Sequence, residues 1–193
     1  RNVLTAGINL LADRGVSETG AFATSLRAQH PITAVFTSPE QLVGFVTDIY
    51  GNQAYKLTKS GPTQSRPGYG YQKKYIELRD EAIDALQRLV RHDIDRADFE
   101  RETGLRLPPA SLEALRQLPA YELSITLDDQ ARAFAIEQLR LRFDYALQAL
   151  ETGLKEPNLA QSEAYEVIAR EAAKLKIAIQ DDRAHLDNAS LMR

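Results

Sequence analysis

Between Ile49 and Ile76 the chain carries no acidic residue, yet Lys56, Lys59, Arg66, Lys73 and Lys74 give the segment a formal charge of +5. Tyr50, Tyr55, Tyr69, Tyr71 and Tyr75 are five of the eight tyrosines. Because the whole chain is formally −3, everything outside the segment sums to −8. A positive island in an acidic protein attracts an anion. Its far end, QSRPGYGYQKKY at 64–75, combines the residue types that such a site uses. Tyrosines stack on bases or donate hydrogen bonds, glycines let the backbone approach closely, and lysine or arginine neutralises phosphate. A helix starting near Tyr71 would add free N–H groups and the positive end of its dipole. Arg66, Tyr69, Tyr71, Lys73 and Lys74, with Lys56 and Lys59 before them, are therefore the candidate anion-binding residues. The competing structural reading packs the tyrosines beneath a loop and leaves the lysines as its hydrated rim.

The order of these residues is not that of a phosphate motif. There is no G-x-x-x-x-G-K-[ST], and Gly61, Gly68 and Gly70 do not form G-x-G-x-x-G after a strand. Five positive charges neutralise few phosphates and the surrounding acidity opposes approach, which argues against duplex DNA as a partner.

A second candidate is RHDID, which holds His92 and Asp93 at the end of a long helical pattern. An adjacent His-Asp pair in a helical protein resembles the central motif of the HD phosphohydrolase superfamily. The resemblance covers only these few residues, and it implies a divalent metal at His92 and Asp93 that activates water. That family continues its motif with isoleucine, glycine and lysine, whereas Ile94 is followed here by Asp95 and Arg96. An upstream ligand would be His30, and the later aspartate would be one of Asp128, Asp144 and Asp181. The alternative places an exposed histidine favourably at a helix C-terminus.

In Asp80-Glu81-Ala82-Ile83-Asp84, acidic groups three and four residues apart share a helix face, as in helices that hold magnesium and a diphosphate. Glu81 and Asp84 also stand at helical spacing from Arg88, which makes a solvated, ion-paired face. With no cysteine, thiolate nucleophiles, thiolate metal sites and disulfides are ruled out by inventory. No serine stands in a G-x-S-x-G elbow, and only His30, His92 and His185 are available to a triad. No cofactor is expected.

The elements that would position these residues are mainly helical. Ile76, Ile83, Leu86 and Val90 share one stripe, predicting an amphipathic helix over about 70–92. Ile136, Leu139, Phe143, Ala146 and Leu150 repeat the pattern over 127–150, with Asp128-Asp129 at the N-terminus and Gly153 as a stop. Tyr165, Ile168, Ala172, Leu175 and Ile179 give a third helix over about 160–180. Shorter helices are predicted at 2–13, at 109–117 and at 39–50, where Ser38 caps and Pro39 occupies the first turn. Val43, Phe45, Val46, Thr47, Ile49 and Tyr50 also favour strand, so a hairpin through Gly51-Asn52 stays open for 39–59. In YELSITL, Tyr121, Leu123, Ile125 and Leu127 alternate with polar residues at the period of a half-buried strand. Segments 32–37 and 53–59 would be its partners in a small antiparallel sheet.

With 193 residues, 44% hydrophobic and 26% charged, the chain can bury a core without staples. It reads as one mainly helical domain over 1–193, with a boundary between lobes placed near 105–109. No run is long and apolar enough for a transmembrane segment. Starting at Arg1 rather than methionine suggests a part of a larger polypeptide; the cytoplasm is the default compartment and secretion stays open. The functional expectation is a non-catalytic, soluble recognition module that binds a protein partner or an anionic, phosphate-bearing ligand through 55–75. Two alternatives stand beside it: a divalent-metal phosphohydrolase centred on His92 and Asp93, and a structural or oligomerisation domain built on a helix stripe.

Overall fold

The computed structural model describes residue 32 and residues 36–50, 57–58, 61–62 and 69–191. Within them the protein is mainly helical, as the 3.6-residue periodicity predicts. The helices are α1 (Pro39–Tyr50), α2 (Tyr69–Val90), α3 (Arg96–Thr103), α4 (Pro109–Arg116), α5 (Ala120–Gly153), α6 (Pro157–Ala160) and α7 (Tyr165–Leu191). Strands β1 (Leu57–Thr58) and β2 (Gly61–Pro62) pair antiparallel, Leu57 opposite Pro62 and Thr58 opposite Gly61. No helix among the described residues is long and apolar enough to cross a membrane. The chain divides into two compact units, one of Arg1–Leu26 with Tyr75–Gln138, the other of Arg27–Lys74 with Leu139–Arg193.

In the first unit, α2 buries Leu78, Ala82, Ala85, Leu86 and Leu89, spaced four, three, one and three apart along a single face. The stripe read from Ile76, Ile83 and Val90 is therefore rotated from the real one: Ile76 is exposed and the other two are half-buried, and only Leu86 belongs to both. The alanines were the missing signal: Ala82 and Ala85 are both buried on the real face. After α2, Asp95 caps α3 by accepting the Asp98 amide at 2.7 Å. Gly104, at φ 74°, closes α3 with its N–H on the Glu100 carbonyl. This helix has both end signals in the sequence but no long apolar stripe, and Phe99 is its large buried anchor. Leu105 and Leu107, within the segment chosen as a lobe boundary, are buried in the same unit. Pro109 then starts α4 at its first position, where a missing N–H costs nothing. Leu112 and Leu115 are the buried residues of α4.

The predicted strand at 121–127 is helix. Helix α5 starts directly after Pro119, whose carbonyl accepts the Leu123 N–H at 2.9 Å, and runs unbroken through Asp128-Asp129. The alternation misled because apolar residues at every second position also populate two sides of a helix. Tyr121 is 78% exposed, Ile125 is exposed too, and burial falls on Thr126, Leu127, Gln130, Ala131, Phe134 and Ala135 at helical spacing. The three-segment sheet is accordingly not formed. Of segment 53–59 the described residues are Leu57–Thr58, which pair with Gly61–Pro62 rather than with 121–127. At 32–37, residues 33–35 lie outside the described residues, as does the helix expected at 2–13.

In the second unit, α1 is the helix, not the hairpin, over 39–50. Ser38 Oγ accepts the Gln41 N–H at 3.3 Å, and Gln41 Oε1 reaches back to the Thr37 N–H at 2.9 Å, a reciprocal cap. Strand-favouring side chains do not prevent this, because Leu42, Val43, Val46, Ile49 and Tyr50 lie on one face and are all buried. Phe36 stands edge-on to Phe45 with centroids 5.3 Å apart, and Tyr50 packs on Phe143 at 5.5 Å. Helix α1 packs against α7.

Leu139, Phe143, Ala146 and Leu150 of α5 are buried as their spacing predicts, and so are Ala172, Leu175 and Ile179 of α7. The third helix is shifted from its expected range: α6 and a turn occupy 157–164, and α7 runs on to Leu191. Arg140 Nε reaches Asp187 Oδ1 at 3.0 Å, and Arg183 pairs with Asp144. Four positions forward on α5 match four positions back on α7, so in this unit the two helices run antiparallel.

Candidate anion-binding site

Helix α2 begins at Tyr69, one or two residues before the expected start at 70–71, so its first turns consist of YGYQKK. Tyr69, Tyr71, Lys73 and Lys74 all fall in this opening stretch, with Tyr69 and Lys73 one turn apart along the backbone. Lys74 and Tyr75 are half-buried, and each takes part in an interaction of its own. Arg66, Lys56 and Lys59 lie outside the described residues.

The first turn of α2 contains no acidic residue. Helices α1, α3, α5 and α7 each place one there, Glu40, Asp98, Glu122 and Glu166, whereas α4 and α6, like α2, place none. An acidic side chain in that position balances the unpaired N–H groups and the positive dipole end from within the chain. On α2 nothing in the first turn does so, and Lys73 and Lys74 follow.

His92 and Asp93 take part in ending α2. Beyond Val90 the chain turns through His92 at φ 66°, the left-handed conformation usually given to glycine. The Asp93 N–H bonds the Arg88 carbonyl at 2.9 Å and the His92 N–H bonds Leu89 at 3.3 Å, the paired pattern of a Schellman ending. Arg116 of α4 completes this end: Nη2 donates to the Leu89 carbonyl at 3.0 Å and Nε to Val90 at 3.3 Å. Arg116 Nη2 also lies 2.9 Å from His92 Nδ1. A guanidinium only donates, so in this contact Nδ1 is the acceptor. Both His92 and Asp93 are exposed. Of the further metal ligands considered, Asp144 is paired with Arg183 and His30 is outside the described residues. Among the described residues no three His, Cys, Asp or Glu side chains converge as a metal-binding set.

Two of the three acidic residues in the run are paired, while Glu81 is exposed and is not among the partners of Arg88. Arg88 Nε meets Asp84 at 2.9 Å and its Nη2 meets Glu102 of α3 at 2.5 Å; Asp80 lies 3.4 Å from Arg79.

Sequence reasoning assigned Asp128 to a helix start or to a metal. It is instead the centre of an ion-pair cluster, taking Arg79 Nε and Nη2 on Oδ1 at 2.9 and 2.5 Å and Arg132 on Oδ2 at 2.7 Å. Burial pushes its carboxyl up, but the hydrogen bonds and charges of Arg79 and Arg132 outweigh this and hold it below the usual carboxylate range. The buried amides of Gln130 and Gln138 were also missed.

The molecule is thus a mainly helical protein whose basic, acid-free segment leads into a long helix with no acidic residue in its first turn. No protein family, no curated protein and no solved structure matches the chain.

Proposed function

We propose that the chain is a non-catalytic recognition module that binds an anionic, phosphate-bearing ligand through its basic, tyrosine-rich segment 55–75. The observation that carries this reading is the start of α2. The helix opens inside the acid-free run, lacks an acidic residue in its first turn and is followed at once by Lys73 and Lys74. Amide N–H groups, dipole and lysine charge therefore act with the same sign over a few residues, which is the electrostatics an anion needs. Tyr69 and Tyr71 in the same turns supply hydroxyl donors or an aromatic surface.

Calorimetric titration with inorganic tripolyphosphate tests the proposal. The wild type is expected to bind at low ionic strength and to lose affinity steeply as salt rises. Changing Lys56, Lys59, Arg66 and Lys73 together to Ala should weaken binding at least about tenfold, since charge-assisted contacts are lost, while thermal stability stays near wild type. A wild type that ignores the polyanion at low salt, or a variant that binds it as tightly, overturns the reading.

A further inference from the structure

We draw no further inference here: the strongest candidate, the fully buried amides of Gln130 and Gln138 on α5, which meet no hydrogen-bond partner among the described residues, carries nothing because nothing there shows what polar group would reach them.

Discussion

A methyl group added at Gly44 meets nothing within 4 Å, whereas one added at Gly153 overlaps Leu42 Cδ1, which belongs to a fully buried side chain. Neither glycine needs a left-handed backbone. Gly44→Ala on the exposed face of α1 should therefore stabilise by about 0.5–1 kcal/mol, the cost of glycine in a helix interior. Gly153→Ala should destabilise by about 1–3 kcal/mol, the usual penalty of overpacking. Urea unfolding of the two variants measures both; the same sign for both contradicts the packing of α5 on α1. Asp128 gives a pH dependence with a defined sign. Its folded-state pKa is depressed, so its contribution is fully present above the unfolded value and lost as pH falls through the folded one. The stability advantage of wild type over Asp128→Asn should be constant near neutrality and shrink below about pH 4, where carboxylates protonate. An advantage that grows on acidification would mean that burial, not Arg79 and Arg132, governs the group.

At the scale of elements, the end of α2 separates two meanings of one dipeptide. His92 holds a left-handed position and Arg116 covers the carbonyls of Leu89 and Val90. His92→Gly should leave stability unchanged or raise it by up to about 1 kcal/mol, because glycine takes that backbone without strain. Arg116→Met should lower it by about 1 kcal/mol through lost hydrogen bonds. A large loss in the histidine variant, measured by thermal unfolding, would show that the side chain does more than end a helix. The local signals that worked in the sequence have short-range causes: Ser38 before Pro39 and the Leu139-to-Leu150 stripe each depend on residues within a turn or two. Those that misled were ambiguous for physical reasons. Tyr121-Leu123-Ile125-Leu127 fits both periods over seven residues, and only Gln130, Ala131 and Phe134 beyond it decide for helix. The apolar face of α2 lay in Leu78, Leu89 and two alanines, where branched residues at 76, 83 and 90 drew the eye instead.

For the whole molecule, the helical class was legible because amphipathic repetition accumulates over long elements, while the division into two units was not. That division rests on which residues pack in space, and both α2 and α5 contribute residues to each unit without a break in the helix. The candidate site was legible as a charge pattern, since an acid-free run is a property of order alone. The precise helix start and the missing first-turn acid needed the fold. The most direct measurement is a two-dimensional amide NMR titration with inorganic tripolyphosphate at low and high salt. The account predicts that the largest shifts fall on the amides of 69–74 and that they diminish as salt screens the charges. Shifts confined to other helices, or none at 69–74 at saturating polyphosphate, would contradict it.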